Sequence, residues 1–362
     1  MSHGIPRTTG ATVKSEQARR QELADIETYK NLTKRVNDKI SAGELTPETL
    51  ELTTKLVDRN PEYYTIWNYR RAILLQLFEA EYQEEKLESR GAEALTPRQS
   101  NILKIITTDL QFEIRLLRKF PKCYWLWNHR NWLLHQAQSQ LPSSIALQLW
   151  QGELALVGKM LSLDSRNFHG WGYRRTIVDK IEGLQGRSMA ETEYEYTTKA
   201  IQSNLSNFSA WHYRSKLIPR MLNEQKADKT ARRKTLNNEF QLIQNGLWTD
   251  PKDQSMWFYH QVLMKNVASS VAEESFVPDL SSADRLGLIE REIKGIEEMI
   301  DGAEGCKWIF LALLQYAQMY LEFDAGNKLF STQDLRQWLT KLKELDPLRQ
   351  GRWEDLEQKL NL

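Results

Sequence analysis

The sequence predicts an all-α protein built as a superhelix of helical hairpin repeats, and three observations predict it. A Trp-centred phrase returns five times, as PEYYTIWNYRRAIL, PKCYWLWNHRNWLL, SRNFHGWGYRRTIV, LSNFSAWHYRSKLI and PKDQSMWFYHQVLM, with its Trp at Trp67, Trp127, Trp171, Trp211 and Trp257. The spacings between those Trp residues are 60, 44, 40 and 46, so a unit of roughly 40 residues is being copied, the mark of a helical array. Only 17 Gly and 10 Pro punctuate 362 residues, which favours long helices on short connections.

Taken in order, residues 1–20 are polar and read as a flexible arm, with the first helix starting near Gln17–Ala24. Residues 21–362 read as a single repeat domain. Before each phrase stands a second amphipathic segment, such as TPETLELTTKLVD, ILKIITTDLQFEIRLLRKF and ELALVGKMLSLD. Apolar residues there fall at i, i+3, i+4 and i+7, one helix face, so the unit is a helix pair. Thr46 before Pro47 and Thr96 before Pro97 have the form of an N-cap followed by Pro at the first helical position. Phrases occupy 61–74, 121–134, 165–178, 205–218 and 251–264, and GCKWIFLALL near 305–314 reads as a degenerate sixth copy centred on Trp308. Glu79–Arg98 is an acidic insertion, and Met221–Lys234 a basic connection.

Within the phrase, the Trp and the apolar residue seven later share one buried face. Arg70, Arg130, Arg174 and Arg214 follow their Trp by three residues and lie beside it; His260 takes that place in the fifth copy. A half-buried guanidinium there needs a carboxylate or helix-end carbonyls of the adjoining repeat.

A formal net charge of +1 gives no reason to expect a nucleic-acid or membrane-surface protein. Cys123 and Cys306 lack metal-ligand spacing and fit a reduced, cytoplasmic chain without a zinc site of its own. No apolar leader opens the chain, and its longest apolar run is WIFLALL, so neither a signal peptide nor a spanning helix is expected. Four of the six histidines, His129, His169, His212 and His260, fall inside phrases, where each alone reads as a packing or hydrogen-bonding position. No H-E-x-x-H, Gly-rich phosphate loop, Cys-x-x-Cys or G-x-S-x-G occurs, so the chain carries no self-contained active site. Lys122 and His169 stand five and two residues before a Trp, in the loops that open two phrases. Together they suit a polyanion such as diphosphate, although solvated loop residues are the plainer reading.

The Pro-x-x-Tyr-x-x-Trp-x-x-Arg-Arg phrase resembles the repeat of protein prenyltransferase alpha subunits, firmly from Leu52 to Met264 and on through LDPLRQGRWEDL, which is similar to that family's closing helix. Tetratricopeptide arrays keep a shorter period of about 34. NFHGWGYRR, NFSAWHYRS, DQSMWFYH and the N-terminal HGIPR resemble the Rab geranylgeranyltransferase (type II) branch, in its compact fungal form without immunoglobulin-like or leucine-rich repeat domains.

The resemblance implies a right-handed, tetratricopeptide-like alpha-alpha superhelix around a beta subunit in a 1:1 heterodimer. That beta subunit holds the zinc, which activates the acceptor thiolate, and most of the isoprenoid pocket. Geranylgeranyl diphosphate is the co-substrate, Rab GTPases presented by Rab escort protein the acceptors. Lys122 stands where the family's diphosphate-facing Lys stands, and Tyr124 matches the aromatic two residues on. His169 matches a His beside the diphosphate, while Phe168 replaces a Tyr frequent in farnesyl-type subunits. His3 is placed by the resemblance to reach the partner's zinc, against a plain reading of disorder. Two other functions remain open on sequence: the alpha subunit shared by farnesyltransferase and geranylgeranyltransferase type I, and a repeat scaffold that does no chemistry.

Overall fold

The computed structural model describes residues 15–80, 95–271, 275–324, 326 and 329–362, and every regular element among them is helical. His3 and most of the expected N-terminal arm lie outside the described residues, as do 81–94 of the acidic insertion. Helix α1, Glu16–Ser41, already starts inside the expected arm, because the Ser15 hydroxyl accepts the Ala18 N–H at 3.2 Å and caps it.

Where one domain is expected, contacts divide the chain into two compact units, with the boundary after Arg187. In the first, α1 packs on α2 (Pro47–Arg59), and the pairs are α2 with α3 (Tyr64–Ala80), α4 (Pro97–Lys119) with α5 (Tyr124–Gln140), and α6 (Ser143–Leu163) with α7 (Phe168–Gln185). The second unit pairs α8 (Ala190–Ser203) with α9 (Phe208–Glu224), α10 (Lys229–Thr249) with α11 (Gln254–Ala268), and α12 (Ser282–Glu298) with α13 (Lys307–Phe323). It closes with α14 (Thr332–Leu345), a 3-10 turn at Pro347–Arg349 and α15 (Gln350–Leu360). Phrase helices also touch one another, α3 with α5 and α5 with α7, then α9 with α11 and α11 with α13.

The expected caps form. Thr46 accepts the Thr49 N–H, and Thr96 completes a reciprocal box with Gln99. Met221–Lys234, expected as a connection, is mostly helix: α9 runs to Glu224 and α10 starts at Lys229, with Asp228 capping it, so the link itself spans 225–228.

Each repeat Trp is buried, and its indole N–H donates to the carbonyl six residues earlier: Pro61, Pro121, Ser165, Leu205 and Pro251, at 2.7–3.0 Å. That bond needs only a main-chain oxygen, which is why Pro, Ser and Leu all serve there. In three repeats the same carbonyl also receives the residue capping the next phrase helix: Pro61 from the Cys123 thiol at 3.5 Å, Pro121 from the Asn167 amide at 2.9 Å, and Pro251 from the Cys306 thiol at 2.9 Å. One oxygen thus ties a helix to its own loop and to the following repeat. Both cysteines are buried and free, and burial pushes the Cys123 thiol up to about 11, so they serve as small hydrogen-bonding plugs.

Trp308 is not the sixth copy of the Trp. In α5, α7, α9 and α11 the Trp lies four residues after the helix cap; counting four from Cys306, which caps α13, gives Phe310, 4 % exposed. Trp308, half-buried, instead sets its ring against Phe258 at 5.8 Å.

Candidate active-site rim

Two polar systems run through the repeats. The inner one consists of the phrase arginines, 2–5 % exposed where half-buried side chains are expected. Arg130 grips both Glu153 oxygens at 2.6 Å and donates to the Leu110 carbonyl. Arg214 grips Glu239 at 2.7 Å and donates to Thr198; Arg70 grips Asp109 and reaches Thr53 and Thr54. Each of these three guanidinium groups spans from the first helix of its own repeat to the first helix of the next. A second donor comes from the residue two after the following Trp: His129 to Asp109 at 2.9 Å, Tyr173 to Glu153 at 3.0 Å and Tyr259 to Glu239 at 2.6 Å. Within the second phrase the two letters thus serve two buried carboxylates, His129 binding Asp109 and Arg130 binding Glu153.

These carboxylates escaped the sequence reading, although a signal existed. Asp109, Glu153, Glu193, Glu239 and Glu292 each stand 18 residues before Trp127, Trp171, Trp211, Trp257 and Phe310. The same count from Trp67, before which no repeat supplies an Arg, reaches the neutral Thr49. At the fifth copy His260 replaces the Arg, with Nε2 3.0 Å from Glu292 and Nδ1 2.7 Å from the Tyr316 hydroxyl.

Burial raises the Asp109 carboxyl, but Arg70 and His129 outweigh it and hold it below the usual range. Burial lowers His129 to about 4, so it is neutral, donating from Nε2 and accepting from Arg71 at Nδ1. Glu113, one turn beyond Asp109, is fully buried, and neither of its oxygens has a hydrogen-bond partner; burial pushes its carboxyl well above the ordinary value. Donor atoms of Asp109, Glu113 and His129 fall within 4.8 Å of one another. They do not fit a metal ion, because Arg70 and His129 already occupy both Asp109 oxygens and the Arg70 and Arg130 charges already act on the cluster. Zinc chemistry finds no home there.

The outer system sits where the phrase helices begin. Lys122 lies in the loop before α5 with half its side chain exposed; Tyr124 opens α5 at 56 % exposure, and Phe168 opens α7 at 68 %. The structure brings the expected residues together: the Tyr124 ring meets His169 edge-on at 6.1 Å, Phe168 lies 4.0 Å from His169, and the Lys122 charge acts on the imidazole. Tyr64 and Trp125 continue the row at 5.2 Å. Burial lowers His169 below its ordinary value, with Glu62 opposing and Lys122 assisting, so the rim favours the neutral, hydrogen-bonding imidazole.

Asn167, which the sequence reading passed over, links the two. Its carbonyl oxygen accepts the N–H groups of His169 and Gly170 and caps α7, while its amide holds Pro121, the residue before Lys122. Two N–H groups of the first turn of α7 are thereby taken. Helix α5 begins beside Lys122 without a side-chain cap hydrogen bond, the buried Cys123 sulfur facing the N–H groups of Trp125 and Leu126. An open rim with one ammonium, one imidazole and the positive end of a helix dipole suits oxyanions, yet it is a surface that needs a second wall to enclose a substrate.

Comparison with known proteins fits this geometry. The protein prenyltransferase alpha subunit repeat matches residues 47–77, 106–137, 150–181, 190–221 and 236–267, each match beginning in the first helix of a pair and ending in the second. The geranylgeranyl transferase type-2 subunit alpha of Saccharomyces cerevisiae is 33 % identical over 353 residues, 97 % of either chain. That of Candida albicans is 32 % identical, covering 98 % of this chain and 97 % of its own. The mouse protein of the same name is 34 % identical over 264 residues, 72 % of this chain and 41 % of the mouse chain. Among solved structures, Candida albicans protein geranylgeranyltransferase-I complexed with GGPP shares the fold, with a TM-score of 0.61 over 92 % of this chain and 91 % of that one at 20 % identity.

Proposed function

Because the chain belongs to the family of protein prenyltransferase alpha subunits, we propose that it is the alpha subunit of a type-2 geranylgeranyltransferase, acting in a 1:1 heterodimer with a beta subunit. The observation that carries this reading is the end-to-end likeness to fungal type-2 alpha subunits. The enzyme transfers a geranylgeranyl group from geranylgeranyl diphosphate to C-terminal cysteines of Rab GTPases presented by an escort protein, in the cytoplasm. Among the described residues no helix is long and apolar enough to cross a membrane.

The partner supplies the zinc and the isoprenoid pocket, and this chain supplies the rim. As the bond to the isoprenoid breaks, negative charge grows on the leaving diphosphate. The Lys122 ammonium and the positive end of the α5 dipole stabilise it, His169 donates a hydrogen bond, and Tyr124 and Phe168 shield the site from water. In this reading the rim stabilises charge and carries out no proton transfer of its own. His3, outside the described residues, is assigned no step.

Co-expression with a beta subunit, followed by transfer assays with and without escort protein, tests the reading. Rab modification only with escort supports it; transfer to a short CaaX peptide without escort assigns the chain to the shared farnesyl-type alpha instead. Lys122→Ala should slow transfer by ~10–100-fold, the loss expected when one of several electrostatic donors goes. Unchanged transfer would remove Lys122 from the chemistry.

A further inference from the structure

Lys122 does not point freely from its loop. Its Nζ lies 3.7 Å from Oδ2 of Asp164, the residue that ends α6 in the following repeat. Asp164 is held independently of that lysine. Its Oδ1 accepts the Arg166 N–H at 3.2 Å, and its main-chain oxygen accepts the Asn167 N–H at 3.1 Å. Only 26 % of its side chain is exposed, against 50 % for Lys122, so the carboxylate is the fixed member and the lysine stem the moving one.

The same turn recurs elsewhere, and the recurrence separates the shape of Asp164 from its charge. Asn60 ends α2 and accepts the Glu62 N–H at 3.2 Å; Asn204 ends α8 and accepts the Ser206 N–H at 3.0 Å; Asp250 ends α10 and accepts the Lys252 N–H at 3.2 Å. Asp324 ends α13 in the same way, accepting the Gly326 N–H at 3.0 Å, but Asn60 and Asn204 do it with a neutral amide, so the turn needs an acceptor oxygen and no charge. A negative charge at a helix C-terminus is moreover opposed by the helix dipole. Neither the turn nor the helix gives position 164 a use for its carboxylate, whereas Lys122 does.

We infer that Asp164 is a positioning residue for Lys122, its carboxylate narrowing the sweep of a flexible four-carbon stem so that the ammonium waits beside His169 at the mouth of α5. The inference rests on the rim reading of Lys122. At 3.7 Å on a half-exposed site the attraction is weak, so diphosphate oxygens take the ammonium over without a large penalty. The effect therefore falls on how often Lys122 is in place when the leaving group departs, not on whether the co-substrate binds.

The test uses the heterodimer and four forms: unchanged, Asp164→Asn, Lys122→Ala and the double variant, each assayed for kcat and KM for geranylgeranyl diphosphate and for its urea midpoint. Asparagine keeps the acceptor oxygen, as Asn60 and Asn204 do. The expected result is a ~3–10-fold fall in kcat with KM and midpoint unchanged, shrinking to less than ~2-fold in the Lys122→Ala background, with Asp164→Glu recovering part of the loss. Equal losses in both backgrounds, or a lowered midpoint that accounts for the loss, would mark a structural role and overturn the inference. No loss from Asp164→Asn while Lys122→Ala is slow overturns it and leaves the rim reading standing. Full activity in Lys122→Ala brings down the rim reading and the role of Asp164 with it.

Discussion

The buried carboxylate ladder and the exposed rim use the same kinds of side chain for opposite ends. Glu153 is 4 % exposed, holds two bonds from Arg130 and one from Tyr173, and has no room to meet a ligand. Asp164, eleven residues on in the same stretch of chain, keeps a quarter of its side chain in solvent and one long contact to a movable lysine. Desolvation makes the difference. In the ladder a lost partner strands a charge where water cannot reach it; on the rim water replaces the partner at once. Changes inside should therefore show as stability and changes outside as rate.

The largest effect tests the inside half of that rule. Arg130→Ala leaves Glu153 buried with only the Tyr173 hydroxyl, and should cost about 3–5 kcal/mol, read as a fall in the urea midpoint of the heterodimer at fixed protein concentration. Activity per folded molecule should change little. Removing both charges together, as Arg130→Met with Glu153→Leu, should recover most of the loss, since a packed apolar pair serves as well as a buried ion pair. A single variant of normal midpoint would show that the ladder is not what binds the repeats.

Glu113 sharpens the contrast, because it lies in the ladder and follows neither rule. One turn beyond the ladder carboxylate the other repeats carry Val157, Thr197, Ile243 and Ile296, all buried; here a carboxyl sits with neither oxygen hydrogen-bonded, the His129 Nε2 lying 3.9 Å from its Oε1. Glu113→Val should stabilise by about 1–3 kcal/mol, the desolvation cost of an unsatisfied buried polar group. The pH dependence adds a second signature. A carboxyl whose folded value is raised contributes stability that is fully present below its unfolded value, 4.5, and is lost as pH rises toward the folded one. His129, lowered from 6.5 to about 4, works the other way: its stability is present above 6.5 and lost as pH falls toward 4. Between about pH 4.5 and 6.5 the two slopes oppose each other. In Glu113→Val the acid-side loss from His129 should stand alone, up to about 1.4 kcal/mol per pH unit. An unchanged stability profile over that range would show that Glu113 finds a partner in solution.

How much of this was legible in the sequence depends on which physics each feature obeys. Periodicity and caps are local, so the helix pairs, Thr46, Thr96 and the buried Trp–Arg face could be read directly. The ladder carboxylates were legible in principle from their constant offset of 18, but an Asp or Glu on a helix looks like a solvated residue until the partner Arg is known to be buried. Trp308 misled because residue identity was followed where the capping count, which runs from Cys306 to Phe310, sets the register. The rim was reached through resemblance. Lys122 and His169 are 47 residues apart, and nothing in spacing says that Asn167 would tie their two loops together.

Asn167 is where the two halves of the comparison meet, and the smallest predicted effect on stability comes from it. Buried at 3 % exposure, it behaves as a ladder residue, yet what it orders is the rim: one end of its amide starts α7 at His169 and the other holds the carbonyl next to Lys122. Asn167→Ala loses the helix cap, worth about 1 kcal/mol, and frees the Pro121 carbonyl, which keeps its bond from Trp127. A midpoint shift of that size is modest beside Arg130→Ala. Transfer should nonetheless fall further than Asp164→Asn produces, because both rim groups lose their mutual placement and not one alone. If Asn167→Ala lowers stability as stated but leaves kcat untouched, the separation into a structural interior and a chemical rim holds without exception. If kcat falls with it, burial alone does not mark a residue as structural, and what a buried side chain holds in place decides its role.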